Sequence, residues 1–298
     1  MQSRLAPIIL FTYNRPWHTK QTLDALAKNP EAKESELYIY CDGAKESANE
    51  EVLKQIQEVR LLVKQENRFK EVIIKEQTKN KGLANSVIDG VTEIITKFGK
   101  IIVLEDDIVT SPFFLKYMND GLNIYLNSAH VYAVNAYMFP IEFNTNTTFL
   151  SPLGTGSWGW ATWEDKWKAF EVLPKYKSII QNNSLLRARF NLADYNYADM
   201  LNNSNSWAIR WYYSVFVRNG LGVFPTKSLS TNIGFGNDAT HTKNEFTQME
   251  LGNEYVVVKY QDSINMELHE KLLNYFVKPK VVSKKKSFIE RILNKIGS

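Results

Sequence analysis

Four short apolar runs separated by three stretches of helical spacing fill the first 105 residues, and this alternation constrains the fold more than any other feature. The runs are 7–12 (PIILFT), 37–41 (LYIYC), 72–75 (VIIK) and 101–104 (IIVL). Between them, Pro16 opens a helical stretch to about Lys28, proline being suited to a first helical turn. Residues 50–64 carry Val52, Ile56, Val59 and Val63 at helical spacing, and residues 83–97 place Leu83, Val87, Val91 and Ile94 on one stripe. Strands alternating with helices predict an α/β fold with a mostly parallel central sheet flanked by helices. Ligands of such sheets bind beyond the carboxyl ends of the strands. The residues there are Tyr13-Asn14-Arg15, Asp42-Gly43, positions 77–80 and Glu105-Asp106-Asp107, polar sets expected to converge on one crevice.

The remainder is less regular. Residues 112–126 read as a helix and 131–136 as a strand. A Trp-rich segment at 154–167, two helical stretches and a glycine-containing segment at 232–242 follow. No internal repeat or low-complexity linker divides the 298 residues, which suffice for one large domain. The single cysteine, Cys41, excludes an internal disulfide and a thiolate metal site, and fits a reducing compartment. The apolar run near the N-terminus is too short for a signal-peptide core, and no stretch approaches the roughly 20 apolar residues of a membrane span. A cytoplasmic protein is expected, soluble or peripheral to a membrane.

Charge is concentrated at the C-terminus. Residues 278–298 hold seven basic residues against Glu290 alone, a net +6, whereas the whole chain is +4. The body is therefore slightly acidic, which argues against a nucleic-acid-binding surface. Phe288, Ile289, Ile292, Leu293 and Ile296 share helical spacing just after Lys284-Lys285-Lys286. A basic amphipathic helix of this kind suits an anionic membrane surface, with docking on the body or on a second subunit as the alternative.

Several segments carry chemistry. Three adjacent acids at a strand end repel one another, and a divalent cation with bound phosphates would relieve them; hard oxygens suit Mg²⁺ or Mn²⁺. The same triplet reads equally as a solvated turn. His241, in the glycine-containing segment, could add an imidazole ligand, which favours Mn²⁺. Asp42 could accept a hydrogen bond from a nucleotide base. Lys79, Lys81 and Gly82 precede a helix, where lysine and helical N–H groups could face phosphate. In GTGSWGWATW, Trp158, Trp160 and Trp163 are separated by small residues. Glycines permit close approach to a ligand and indoles offer faces to a sugar ring, although an aromatic plug would look similar. Glu164 and Asp165 follow at once and could include a general base.

The ordered series TYNRP, DG, NKGLANS and EDD resembles the nucleotide-diphospho-sugar transferase, or GT-A, fold, with EDD where that fold has its DXD motif. GSWGWATWEDKW and SWAIRWYYSVFVRNGLGVFPTKSLSTNIGFGNDATHT are similar to bacterial glycosyltransferases of polysaccharide biosynthesis, distantly like the N-acetylglucosaminyltransferase I family. The resemblance covers about residues 5–245. It implies a nucleotide-sugar donor, most often a UDP-sugar, a glycan or lipid-linked glycan acceptor, and Mn²⁺ or Mg²⁺. It implies a catalytic domain over 1–270, with a nucleotide-sugar-binding half at 1–110 and an acceptor-binding half at 111–270. The basic tail at 271–298 would then hold the enzyme on the cytoplasmic face of an inner membrane. By resemblance Thr12, Tyr13, Asn14 and Arg15 line the nucleoside pocket, Asp42 contacts the base, and Lys81 and Asn85 lie near the donor. Glu105 and Asp106 face nucleoside and ribose. Asp107 and His241 serve the metal. Gly156, Trp158 and Trp160 floor the sugar and acceptor site, with Trp207 and Arg210 on the acceptor side. The eukaryotic relatives keep their catalytic base in a Trp-Asp-Asp-Trp segment, and the matching stretch 205–211 here has no acid. Asp165, Glu164 and Asp199 are the candidates for that role. A non-catalytic nucleotide- or carbohydrate-binding protein of the same fold is the alternative. A nucleotidyltransferase is disfavoured because TYNRP lacks a glycine-rich basic loop.

Overall fold

The computed structural model of the protein describes residues 4–203, 205–235 and 248–277. Each of the four apolar runs is a strand: β1 (Ile8–Thr12), β2 (Glu36–Cys41), β3 (Glu71–Glu76) and β4 (Lys100–Glu105). They alternate with α1 (Pro16–Leu26), α2 (Glu50–Lys64) and α3 (Leu83–Phe98). Strands β1, β2 and β4 are buried on both faces, which is why their sequences do not alternate. Strand β3 is more exposed and lies at the sheet edge. Asn49 caps α2 by accepting from Val52 N, and Gly99, at φ +77°, ends α3 in the left-handed conformation that favours glycine. Helix α3 buries Val87, Val91, Ile94 and Ile95. A Cβ at Gly90 would lie 2.8 Å from the Phe11 ring, so this glycine lets the helix press against β1.

Beyond β4 come β5 (Ile108–Thr110), α4 (Phe114–Ile124), β6 (Val131–Asn135), β7 (Thr148–Ser151) and β8 (Trp160–Trp163). They are followed by α5 (Glu164–Trp167), α6 (Lys177–Asn182), α7 (Ser184–Phe190), α8 (Tyr197–Met200), α9 (Trp207–Phe216), β9 (Leu221–Pro225), β10 (Ser230–Asn232) and α10 (Met266–Tyr275). One eight-stranded sheet, in the order β3-β2-β1-β4-β8-β6-β9-β7, runs through both halves of the chain. Strands β3, β2, β1 and β4 are mutually parallel. Strand β8 is antiparallel to both β4 and β6, β9 is parallel to β6, and β7 is antiparallel to β9. Six strands therefore point one way, and only β7 and β8 oppose them. The α/β architecture with a mostly parallel sheet is the one the sequence predicts.

The sheet separates two cores. On one side Leu23 and Leu26 of α1, Val59 and Val63 of α2 and Leu115 and Met118 of α4 pack against it. On the other side lie α3, α5 and α9, with Trp160, Trp167, Trp207 and Trp211 in one cluster. A third cluster joins Phe149, Phe190, Tyr212 and Phe224 to Leu268 and Leu272 of α10. Phe276, just after that helix, packs edge-on to Phe139 at 4.7 Å. The body thus extends past residue 270, where the sequence reading began the tail, because Leu272 has no exposed surface. The basic amphipathic segment at 278–298 lies outside the described residues. Among those described, no helix is long and apolar enough to cross a membrane.

Candidate active site

Strand order reverses between β1, which leads on to β2 and β3, and β4, which leads toward β8. A crevice opens at such a switch point, beyond the carboxyl ends. The residue groups that follow β1 and β4 meet there. Arg15, the N-cap residue of α1, bridges Asp106 and Asp107 through Nη2, at 2.8 Å from Asp107 Oδ2. The backbone around the acids is tied down. Thr22 Oγ1 donates to Asp106 O at 2.8 Å, and Ile233 N donates to Asp107 O at 2.9 Å. Trp207 Nε1 donates to Glu105 Oε1 at 3.1 Å. Burial raises the Glu105 carboxyl well above the usual carboxylate range, and the charges of Asp107 and Asp106 add to it. Asp106 is also raised, by burial first, against the pull of Arg15. Burial works against the Arg15 charge, but Asp106 and Asp107 outweigh it and raise the guanidinium pKa.

The nucleoside-side candidates also gather at this edge, mostly bonded to one another. Thr12 is buried, with Oγ1 3.4 Å from Tyr40 O, and Thr12 O accepts from Asp42 N at 2.9 Å. Tyr13 is partly buried and offers its backbone N–H to Asp106. Asn14 Nδ2 donates to Gln55 Oε1 of α2 at 2.9 Å. Asp42 differs from the expected base contact. Its Oδ1 accepts from Gly43 N at 2.8 Å and Lys81 N at 2.9 Å. Its Oδ2 accepts from Gly82 N at 3.0 Å and Asn80 Nδ2 at 3.1 Å. A carboxylate has about four acceptor positions, so the chain itself uses all of them. Asp42 is the clamp that fastens the loop before α3 to the end of β2. Gly43 belongs to the clamp, since a Cβ there would lie 2.4 Å from Lys79 C. Lys81 Nζ pairs with Asp89 at 2.9 Å, and Asn85 Nδ2 donates to Lys81 O at 3.0 Å, so both serve the first turns of α3.

The Trp-rich segment divides along its length. Because β8 is antiparallel to β4, Trp160 pairs with Val103 near the crevice and Trp163 with Lys100 at the far end. Gly156 N donates to Asn135 Oδ1 at 2.7 Å, at the carboxyl end of β6. Trp158 keeps an exposed face and contacts Tyr137 at 4.4 Å and Phe235 at 5.6 Å, both edge-on. Phe235 follows Gly234, whose Cβ, if present, would lie 2.1 Å from Asp107 Oδ2. Trp158 is therefore linked to Asp107 through Phe235 and Gly234, whereas the Trp207 indole touches Glu105 directly. Trp160 was expected beside Trp158, yet it has no exposed surface and stacks on Trp207 at 5.3 Å. Trp207 is itself buried and reaches the site through its bond to Glu105. Arg210 is buried and bonded within the chain; Nε donates to Ser206 O at 3.1 Å and Nη1 to Val172 O at 3.4 Å.

The same strand direction corrects two of the candidate bases. Glu164 N donates to Gly99 O at 2.9 Å, which sets α5 at the opposite end of β4 from Glu105. Glu164 pairs there with Lys168, and Asp165 with Lys166. Neither can serve a reaction at the crevice. Asp199 pairs with Arg187 at 2.8 Å and accepts from Asn196, in the segment that leads to Trp207.

Among the described residues no group of three or more His, Cys, Asp or Glu side chains is arranged to hold a metal ion. His241 lies outside the described residues. The donor chemistry nevertheless fits a hard divalent cation at one atom. Asp107 Oδ1 is buried without a hydrogen-bond partner, on one of the two carboxylates that share Arg15. Sequence reasoning missed Tyr137, although it stands just past β6, where the carboxyl-end rule would have found it. It also missed the close approach of Gly234.

No protein-family model matches the chain, and no curated protein matches it. Among solved structures it is similar to TarS of S. aureus, at 12% identity and a TM-score of 0.40, over 77% of this chain and 37% of that one. It is also similar to the mannosyltransferase PcManGT from Pyrobaculum calidifontis, solved in complex with GDP-Man and Mn²⁺. That match has 12% identity and a TM-score of 0.37, over 73% of this chain and 75% of the other. The chain thus spans 37% of the TarS chain.

Proposed function

We propose that the chain is a glycosyltransferase of GT-A type that moves a sugar from a nucleotide-diphosphate sugar to a glycan or lipid-linked glycan. The observation that carries this reading is the Arg15–Asp106–Asp107 group at the switch point, with a buried free oxygen on Asp107 and the Trp158 indole alongside. Arg15 supplies a planar donor set suited to diphosphate oxygens. Trp158, braced by Tyr137 and Phe235, supplies the apolar face of a sugar site. Asp107 would hold a divalent cation together with diphosphate oxygens, and that cation would offset charge on the departing nucleoside diphosphate. Glu105 and Asp106 shape the polar wall toward the nucleoside. With Glu164 and Asp165 at the far end of the sheet, Asp199 is the remaining acid of the three proposed as base. In this reading residues 278–298 hold the enzyme against an anionic membrane, next to its acceptor.

The test is a thermal-shift screen with UDP, GDP, CMP and their sugar conjugates, with and without Mn²⁺. Binding to the folded state raises the melting temperature by mass action. A Mn²⁺-dependent shift with one nucleotide, lost in Asp107→Ala, supports the reading and identifies the donor class. A folded sample that responds to none of them refutes the donor site. Binding without turnover on any donor would instead favour a non-catalytic nucleotide-binding protein.

A further inference from the structure

Arg15 holds an unusual position for a ligand-binding arginine, because its partners already lie within the chain. Its Nη2 reaches one oxygen of Asp106 and one of Asp107, rather than both oxygens of either. The two-pronged geometry in which arginine binds carboxylate most firmly is thus not used. Asp107 Oδ1 remains buried and unpartnered on the same carboxylate. Asp107 as a whole is 8% exposed, so this oxygen is not satisfied by open solvent. The arginine backbone is fixed: Thr19 N and Thr19 Oγ1 both donate to Arg15 O at 2.9 Å. Only the side chain is left to move. The backbone of Gly234 passes so close that a Cβ would lie 2.8 Å from Arg15 Nη1, and the missing side chain leaves that space to the guanidinium.

A divalent cation on Asp107 and a guanidinium on the same carboxylate repel each other strongly in a partly buried site. We infer that Arg15 is the resident counter-ion of Asp106 and Asp107, and that it must yield this place before a divalent cation binds. This rests on the donor-site reading given above. The displaced guanidinium then turns to a diphosphate, whose oxygens can take both prongs. Metal and nucleoside diphosphate consequently bind with positive coupling, each lowering the cost of the other. By linkage the factor is the same in both directions. Arg15 so acts as a positioning residue that keeps the free protein from collecting metal without its nucleotide.

The experiment is a Mn²⁺ titration of the full chain, followed by electron paramagnetic resonance of the free ion, alone and with saturating UDP or GDP. Wild type, Arg15→Gln, Arg15→Lys and Asp107→Asn are compared, with folding checked by circular dichroism. Arg15→Gln is expected to bind Mn²⁺ alone at least tenfold more tightly than wild type. Wild type should gain at least tenfold in Mn²⁺ affinity when the nucleotide is added, and Arg15→Gln should gain less than threefold. Arg15→Lys, a conservative change that keeps the charge without the fork, should bind Mn²⁺ alone at least threefold more tightly than wild type. It decides the matter should Arg15→Gln fail to fold. Asp107→Asn should abolish Mn²⁺ binding in the presence and absence of nucleotide. Equal Mn²⁺ affinity of wild type and the Arg15 variants, or unchanged coupling, overturns the inference while leaving the donor site standing. If wild type ignores every nucleotide but the Arg15 variants gain Mn²⁺ as described, the donor-site reading fails and the counter-ion role survives.

Discussion

Asp42 separates a structural role from a binding role, and the two predict opposite experimental patterns. Replacing it by alanine removes the acceptor for Gly43 N, Lys81 N, Gly82 N and Asn80 Nδ2. Hydrogen bonds to a charged group contribute about 1.5–3 kcal/mol each when isolated. Here they share one carboxylate, and the loop is part-exposed, so water replaces some of them. A loss of about 3–5 kcal/mol is expected for Asp42→Ala. At about 2.1 cal/mol/K per residue, a chain of 298 residues loses roughly 1.6 °C of Tm per kcal/mol, so Tm should fall by roughly 5–8 °C. Asp42→Asn keeps one acceptor oxygen but turns an amide NH₂ toward two donors, and should lose about half as much. Gly43→Ala, which forces a Cβ against the Lys79 backbone, should destabilise comparably. Urea denaturation followed by tryptophan fluorescence measures all three. A loss below about 1 kcal/mol in Asp42→Ala, with a tenfold or greater fall in nucleotide affinity, would refute the clamp and restore Asp42 as the base contact.

Gly234→Ala places a Cβ 2.1 Å from Asp107 Oδ2 and should lower Mn²⁺-dependent nucleotide affinity at least tenfold by calorimetry, with a Tm change of only a few degrees. Glu164→Gln and Asp165→Asn, at the far end of β4, should leave turnover within about twofold of wild type; a loss of a hundredfold or more would overturn their placement. Burial first, and then the charges of Asp107 and Asp106, raise the Glu105 carboxyl pKa in the fold from 4.5 to about 8. The folded protein thus binds more protons across that window, and its stability falls as pH rises through it. Denaturation of metal-free protein at pH 5 and pH 8 should show this decline, and Glu105→Gln should flatten it.

The crevice was legible because the first half of the chain obeys simple periodicities. Buried parallel strands show as unbroken apolar runs, and the polar residues that end them must lie at one edge of the sheet. Arg15, Asp42 and Asp107 were found in this way. Apart from β6, which the sequence shows at 131–136, the second half hides its strands. Strand β8 is WATW, β7 is TFLS and β9 contains both Gly222 and Pro225, so none shows a run long enough to be read as a strand. Gly222 is explained only by its neighbour: a Cβ there would lie 1.8 Å from Gly154 O, in a segment far away in sequence. Strand direction was equally hidden, and it alone decides that Trp158 faces the crevice while Glu164, only six positions on, faces the opposite edge. Side-chain partners cannot be read from spacing either. Asp42 looks the same in sequence as an acceptor awaiting a ligand or as one already filled by Lys81 N and Gly82 N.

The aromatic cluster explains how three acids can be held so close together at a strand end. Trp207 donates to Glu105, stacks on Trp160, and starts the helix that also carries Trp211. Trp167 contacts both Trp160 and Trp211 and anchors its own indole on Thr92 of α3 at 2.9 Å. A rigid stack thus links the body of the sheet to the one carboxyl group that Arg15 does not pair with. On the opposite side, Thr22 and Ile233 hold the backbone of Asp106 and Asp107 from α1 and from the segment after β10. The acids cannot move apart to relieve their repulsion, so it must be relieved by charge. Arg15 supplies one positive charge to this group of acids, and burial raises the Glu105 carboxyl pKa, which favours its neutral form. This leaves the site short of positive charge, with a buried oxygen free on Asp107. Of the tryptophans that sequence reasoning assigned to the sugar and acceptor site, all but Trp158 belong to this frame and maintain the deficit; in the function proposed above, the deficit is what would draw a divalent cation and its diphosphate.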